Sequence, residues 1–192
     1  QKIQTLRGRV SIKIKTQEGS IRIPTDILID RTEDSNPKVK MAAIGPFGVT
    51  YVVIVLKNGH LTWIDYERKK KYEIAKTWHG INLDSFADLI LGITELTPER
   101  VSISKSAEAK DGFEITQNEN KVWFDLQWND LDANNMNIPQ ISHIQAKGKT
   151  EEYNVTYQDF EKALETKLAK QVEIKAKQGF ELNMTWRDRN FN

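Results

Sequence analysis

The chain has 192 residues, with 28 Lys plus Arg against 27 Asp plus Glu and a formal net charge of +1. That length suits one domain spanning 1–192 with a sizeable core, and the balanced charge lacks the basic excess that a nucleic-acid partner selects. There is no cysteine, which excludes disulfides, thiolate metal sites and cysteine nucleophiles, and no stretch approaches the ~20 consecutive apolar residues of a membrane-spanning helix.

Alternation with a period of two dominates the first third. Val10, Ile12 and Ile14 alternate with Arg9, Ser11, Lys13 and Lys15, the pattern of a half-buried strand. Glu18-Gly19 turns the chain into Ile21-Arg22-Ile23. Pro24 weakens the next residues as a central strand, although Ile27-Leu28-Ile29 resumes a β-rich composition. Asp34 to Pro37 reads as a loop. Two apolar runs, Val39 to Ile44 and Val49 to Leu56, flank Gly45-Pro46-Phe47-Gly48. A turn of Gly and Pro is chemically ordinary. A phenylalanine at its tip is not: Phe47 is either tucked against the body or projects toward something apolar. Asn58-Gly59 is the sharpest turn signal, because a type I′ hairpin needs two positive φ angles. Leu61, Trp63 and Asp65 then return antiparallel. The run Arg68-Lys69-Lys70-Lys71 reads as a solvated turn rather than a headgroup contact, and Tyr72 to Ile74 as a short strand.

The period changes in the middle of the chain. Asn82 to Gly92 predicts a helix with Phe86, Leu89 and Ile90 on one face, Leu83 and Ile93 beside them, Asn82 or Asp84 at the start and Gly92 at the stop. Thr97-Pro98-Glu99-Arg100 predicts a second short helix. Strands come next at Val101 to Lys105, Phe113 to Thr116 and Val122 to Trp128; in the last, Val122, Phe124, Leu126 and Trp128 share a face. Asp130 to Pro139 is polar and loop-like, and Ile141 to Ala146 and Tyr153 to Tyr157 are strands. Gln158 to Lys170 has helical spacing at Phe160, Ala163, Leu164 and Leu168 and reads as a helix, with a loop as the alternative. The chain closes in a hairpin: Val172, Ile174 and Ala176, a turn at Gln178-Gly179, then Phe180, Leu182, Met184 and Trp186. The sum is mainly β with inserted helices, a strongly bent antiparallel sheet with helices on its concave side. Such a sheet need not fill its interior, and wide barrels hold apolar ligands.

Catalytic and metal-binding patterns are absent. His60, His79 and His143 have no ligand-like spacing. There is no glycine-rich phosphate loop, Gly-x-Ser-x-Gly elbow or His-Glu-x-x-His. No cofactor, metal site or catalysis is therefore expected. Five tryptophans and seven phenylalanines are more informative. Trp128 and Trp186 end apolar strand faces, which either pack a core or line an acyl-chain cavity.

Four pieces, in this order, carry a resemblance: the opening strand Leu6-Arg7-Gly8-Arg9-Val10, the segment Met41 to Thr50 around Gly45-Pro46-Phe47-Gly48, the helix ending Leu89-Ile90-Leu91-Gly92, and the closing pair Lys170 to Ile174 and Leu182 to Trp186 with its terminal Trp-Arg-Asp. Together they resemble the outer-membrane lipoprotein receptor LolB, within the LolA/LolB lipoprotein-carrier superfamily. Ala169 departs from the resemblance, since it stands where proline is common. The resemblance implies an incomplete, strongly bent antiparallel β-barrel with a helical lid over an apolar cavity. That cavity takes acyl chains, with Val10, Ile12, Ile14, Phe86, Leu89, Ile90, Phe124, Leu126, Trp128, Leu182, Met184 and Trp186 as its expected lining. The helix is either a mobile lid or a fixed core element. Phe47 falls at the family's projecting loop with an apolar tip, which favours its projection and a contact with the membrane.

The implied function is to bind the acyl chains of lipoproteins and deliver them to the outer membrane, without catalysis. The implied partners are acylated lipoproteins or lipid, a periplasmic LolA-type donor and the outer-membrane surface. The implied location is the periplasmic side of that membrane, and a monomer is expected. The sequence opens on Gln1 rather than Met, which points to a processed or trimmed chain, so a lipid anchor would lie upstream. Two alternatives stay open: a carrier for other lipids or glycolipids, and a fold relative resembling the pigment-pathway enzyme VioE that acts on an aromatic intermediate.

Overall fold

The computed structural model describes residues 4–32, 37–92, 102–105, 112–117, 120–128, 139–149, 151–163 and 166–191; at 102–105, 117, 120, 128, 139, 163 and 166 it describes the backbone alone. The first meander runs through β1 (Thr5–Thr16), β2 (Gly19–Asp30), β3 (Lys38–Ile44), β4 (Thr50–Lys57), β5 (His60–Asp65) and β6 (Lys70–Ala75). A two-stranded ribbon, β7 (Thr77–Trp78) and β8 (Ile81–Asn82), and the helix α1 (Phe86–Leu91) come after it. The second meander comprises β9 (Ser102–Lys105), β10 (Gly112–Gln117), β11 (Asn120–Trp128), β12 (Pro139–Lys147), β13 (Glu152–Ala163), β14 (Thr166–Ala176) and β15 (Glu181–Phe191). Thirteen of these strands make one sheet, in the order β6-β5-β4-β3-β2-β1-β15-β14-β13-β12-β11-β10-β9. Every described pairing is antiparallel. The meanders meet where β1 pairs with β15, from Leu6 opposite Phe191 to Lys15 opposite Glu181.

The sheet bends because the ribbon pins its two halves together. Lys76 donates its N–H to Gly59 in the β4–β5 turn, and Gly80, only four residues on, accepts from Glu152 at the head of β13. Four residues reach at most ~14 Å. β5 and β13 stand seven places apart in the sheet, about 34 Å if it were flat. The strands must therefore curl around the ribbon and helix. The sheet does not close, and β6 and β9 remain as its edges.

Local sequence explains several details. Asn58 and Gly59 have φ of 52° and 65°, as the Asn-Gly hairpin requires. Pro24 lies inside β2 opposite Ser11, but the β3 pairing begins only at Thr25. The proline thus sits where one side of β2 has no neighbour and its missing N–H costs nothing.

Two expectations are corrected. Gln158–Lys170 is neither helix nor loop: β13 runs to Ala163 and β14 starts at Thr166, with Phe160 opposite Ala169 and Glu161 opposite Leu168. Asp159 has a φ of 53°, which interrupts the alternation along β13 and leaves apolar residues three to five apart, an imitation of helical spacing. The buried Arg189 then fastens this hairpin, donating to the carbonyls of Ala169 (2.9 Å) and Leu168 (3.5 Å) and to the Glu161 carboxylate.

The second correction concerns the helix, which is not a lid. Its regular part is six residues long, and Phe86, Ala87, Leu89, Ile90 and Leu91 are all buried. A lid has a wet face; this helix has almost none. Ile81 and Asn82 are drawn into the ribbon instead of the helix, and Asn82 Oδ1 accepts from the Asp84 N–H. Gly92 ends the helix with a φ of 67°. The Tyr157 hydroxyl, wholly buried on β13, donates to the Leu89 carbonyl at 2.7 Å, filling one of the acceptors a helix end leaves open. On the other flank Arg31 Nη2 lies 3.2 Å from Asp88 Oδ1. The second short helix expected at Thr97–Arg100 lies outside the described residues, as do Ile93, Leu164 and all of the polar loop expected at Asp130–Pro139 except Pro139, which opens β12.

Replacing Tyr157 by Phe keeps the ring and removes the shorter of the two hydrogen bonds to the Leu89 carbonyl, leaving the longer one from the Gly92 N–H. It is expected to lower the unfolding free energy by about 0.5–1.5 kcal/mol, read as a lower urea midpoint at unchanged slope.

Candidate functional site

Two surfaces carry the site: the inner face of the sheet and the tip of the β3–β4 hairpin. On the inner face, cross-strand partners build rows. Val10 lies between Thr25 and Trp186, Ile12 between Ile23 and Met184, and Ile14 between Ile21 and Leu182. Val172 and Ile174 on β14 extend the rows to Tyr157 and Val155 on β13. The expected lining residues Val10, Ile12, Leu182, Met184 and Trp186 are brought together here and are buried in one core, with Ile14 packed at its margin. Phe86, Leu89 and Ile90 enter the same core from the helix. Phe124 lies further along, opposite Ile144, and stacks on Phe113 with ring centroids 4.8 Å apart.

Leu126 stands apart from this set. The register shifts between Asp125 and Leu126, and Ser142, the extra residue on β12, donates to the Asp125 carbonyl. Leu126 is half-buried and outside the core, and the Trp128 side chain lies outside the described residues. The apolar surface that stays partly open lies to either side of the plugged centre. It comprises Ile54, Trp63 and Ile74 toward β6, and Phe113, Val122 and Ile141 toward β9.

The ribbon is held by contacts that no period in the sequence announces. Trp78 packs edge-on against Phe180 at 4.8 Å and against Phe86 at 6.4 Å. His79 stacks on Phe180 at 4.5 Å and 8°, and burial pushes its imidazole pKa down. Asn82 Nδ2 donates to Glu151 Oε1 at 3.0 Å. Burial pushes the Glu151 carboxyl up, against the smaller opposing pull of that hydrogen bond. At the far end of β15 the Arg189 guanidinium lies 5.3 Å over the Trp186 ring.

The hairpin tip is built differently. Gly45 donates its N–H to Val49 at 2.8 Å, and Phe47 and Gly48 take φ of 65° and 76°. A Cβ at Gly45 would overlap the Tyr51 ring, which lies across that position. Phe47 is 102% exposed, so it projects fully and is not tucked. Left-handed backbone costs a residue such as Phe about 1–2 kcal/mol, and Asn or Gly would relieve it. The fold therefore accepts strain and apolar exposure together at one residue. Val49, Tyr51 and Tyr66 are exposed beside it, and the Tyr66 N–H binds the Tyr51 carbonyl at 2.9 Å. The pairing of these two turns is tertiary, which is why sequence reading singled out Phe47 alone.

The outer face is chemically distinct. A depression of about 420 Å³ lies over β1, β2, β3 and β15, rimmed by Arg7, Arg9, Asp26, Lys40 and Asp188. Arg9 Nε pairs with Asp26 Oδ1 at 3.1 Å, and the Arg9 N–H donates to Asp188 Oδ1 at 2.8 Å. Such a charged rim suits no acyl chain. Among the described residues no group of three or more His, Cys, Asp or Glu is placed to hold a metal, and no helix is long and apolar enough to cross a membrane.

No protein-family model matches the chain, and no curated protein matches it. Solved structures do. A domain from Vibrio parahaemolyticus assigned as an outer membrane lipoprotein-sorting protein superposes with a TM-score of 0.64 at 11% identity, over 98% of this chain and 85% of that one. A DUF1329 family protein from Desulfovibrio piger gives 0.61 at 8% identity, over 99% and 86%. A LolA superfamily protein from Nitrosomonas europaea gives 0.57 at 12% identity, over 98% and 86%. The chain shares the fold of these proteins, a mostly β, unclosed antiparallel sheet. None of the three is named as a LolB.

The raised Glu151 carboxyl has a sign that can be tested. Its folded value lies above the ordinary 4.5, so its favourable contribution is complete below that pH and is lost as pH rises through the folded value. Glu151→Gln keeps an acceptor for Asn82. It should melt higher than the parent at pH 8, with the gap closing toward pH 4.

Proposed function

We propose that this protein binds the acyl chains of lipoproteins on the inner face of its bent sheet and hands them to a membrane, without chemical catalysis. The observation that carries the reading is the pairing of an apolar concave face with Phe47, a strained and fully exposed phenylalanine at the tip of the same sheet. The fold likeness to a lipoprotein-sorting domain and a LolA superfamily protein supports it. The location that fits is the periplasmic side of a Gram-negative outer membrane, with a LolA-type carrier as donor and the protein acting as a monomer in the LolB manner.

The partly open residues Ile54, Trp63 and Ile74 on one flank and Phe113, Val122 and Ile141 on the other are the proposed first contacts of the chain. The buried set Val10, Ile12, Leu182, Met184 and Trp186, with Phe86, Leu89 and Ile90 and with Ile14 at its margin, forms the wall behind them. Each buried methylene contributes ~0.8 kcal/mol, so half an acyl chain already gives useful affinity. Phe47 inserts into the bilayer surface during delivery. One phenylalanine is worth ~1.5–3 kcal/mol, enough to orient a docked protein and too little to anchor one.

A fluorescent fatty-acid analogue should bind and be displaced by palmitate, and an organic extract of the purified protein should contain acyl species. Their chemistry separates lipoprotein cargo from free lipid or glycolipid. Failure of both measurements removes the carrier reading and favours the enzyme alternative. Phe47→Asn relieves the positive φ, so the fold should be as stable as the parent or up to about 1 kcal/mol more stable. Transfer of acylated cargo into liposomes should slow about ten-fold or more. Loss of folding in this variant, or undiminished transfer, counts against the membrane role of Phe47.

A further inference from the structure

We infer that the β5–β6 turn is a second membrane contact, one that selects bilayers carrying anionic phospholipid and sets the angle at which the Phe47 hairpin meets them; this rests on the membrane role proposed for Phe47.

The turn spans Tyr66 to Lys69 and runs into Lys70 and Lys71 at the start of β6. It carries four consecutive cations, Arg68 to Lys71, against Asp65 and Glu67. Two of the cations are occupied: Arg68 lies 3.9 Å from Asp65, and Lys71 lies 2.6 Å from Glu73. Lys69 and Lys70 have no ion-pair partner among the described residues; Lys69 is the last residue of the turn, with a φ of 52°, and Lys70 opens β6 opposite Asp65. The chain as a whole is almost neutral, so this is a local concentration of charge.

Position gives the charge its meaning. β3, β4 and β5 are adjacent, so the β3–β4 tip and the β5–β6 turn leave the same end of the sheet. The Tyr66 N–H bond to the Tyr51 carbonyl fixes one against the other. Residues 45–51 carry no charge at all. Along this end lie, in succession, an apolar projection (Phe47 and Val49), two exposed tyrosines suited to the headgroup boundary (Tyr51 and Tyr66) and two free ammonium groups. A bilayer surface presents the complementary sequence: acyl chain, interface, phosphate. A protein partner with a single acidic groove would match the lysines but leave Phe47 in water.

Each lysine held near an anionic membrane improves partition roughly five-fold, and salt screens the effect within about 8 Å at physiological ionic strength. The test is co-sedimentation with vesicles of pure phosphatidylcholine, or of phosphatidylcholine with 30% phosphatidylglycerol (a proportion of roughly the order found in anionic membranes). The parent protein should prefer the anionic vesicles by about twenty-fold or more at low salt and lose most of that preference at high salt. Lys69→Asn/Lys70→Gln should collapse the preference to a few-fold while leaving neutral-vesicle binding unchanged. Phe47→Asn should weaken binding to both vesicle types alike. A control pair at the opposite end of the same strands, Lys57→Gln/Lys76→Asn, makes the same change in net charge and should keep the preference. Equal preference in the Lys69/Lys70 variant and the parent overturns the inference while leaving Phe47 insertion standing. Loss of preference in the control pair also overturns it, since overall charge would then be the cause. No binding to either vesicle overturns both membrane contacts, and displacement of the fatty-acid analogue then tells whether the carrier reading survives without them.

Discussion

The ladder between the first and last strands is the constraint on which everything else rests. Within each meander, strands meet partners that lie close by in sequence. Among the described strand pairings of the sheet, the β1–β15 ladder alone joins the two halves, through pairs such as Leu6 with Phe191 and Lys15 with Glu181. Val10 is fully buried because it lies between Thr25 and Trp186, one partner from each half. Without that ladder the inner face would be two half-sheets, each too open to the solvent to keep its apolar rows dry. Charge runs along the same seam, with the Lys15 ammonium 3.0 Å from the Glu181 carboxylate, an exposed pair whose worth is no more than about 1 kcal/mol. The ladder is held by backbone bonds and apolar burial, and the ion pair only decorates it.

The chain leaves the sheet at one edge, β6, and re-enters at the other, β9. The described part of the intervening segment, the ribbon and helix, is bonded to both walls of the concavity: to Gly59 and Arg31 on one flank, and to Glu152, Tyr157 and Lys177 on the other. This turns a helix with one apolar stripe into a buried wedge. Asp88, the polar residue that would have faced water, meets the buried Arg31 instead. Breaking such a pair by removing one partner typically costs about 3–5 kcal/mol, so the wedge is held in place chemically as well as sterically.

Much of this was legible in the residues. Period-two alternation at Val10, Ile12 and Ile14, the Asn58-Gly59 turn and the closing hairpin through Leu182, Met184 and Trp186 are local signals, and the strands stand where they point. So is Phe47, whose oddity is visible in a four-residue window. What escaped is what depends on distant partners. The β13–β14 hairpin was hidden because Asp159 breaks the alternation, and its fastening comes from Arg189 on β15. The ribbon was hidden because two-residue strands carry no period, and its anchors, Phe180 and Glu151, lie far along the chain. The helix stands inside the expected Asn82–Gly92 but starts only at Phe86, and its polar face was misjudged: periodicity reports which face is apolar, not whether the other face finds water or Arg31. The inner-face residues were legible as a set, but the way the wedge divides the uncovered surface into two flanks was not.

The unpaired edges of the sheet have a mechanical meaning. In a closed barrel, strand number and shear fix the circumference, so widening it means tearing a row of backbone hydrogen bonds. Here β6 and β9 are not joined, and a seam replaces that row. The radius is then set by small changes in twist shared over twelve strand-to-strand steps and by the few bonds of the ribbon and helix that tie the two flanks together. Parting the two edges of such a sheet would cost the bonds of a short wedge, whereas widening a closed barrel costs a whole row of its ladder, with every strand pairing here left intact.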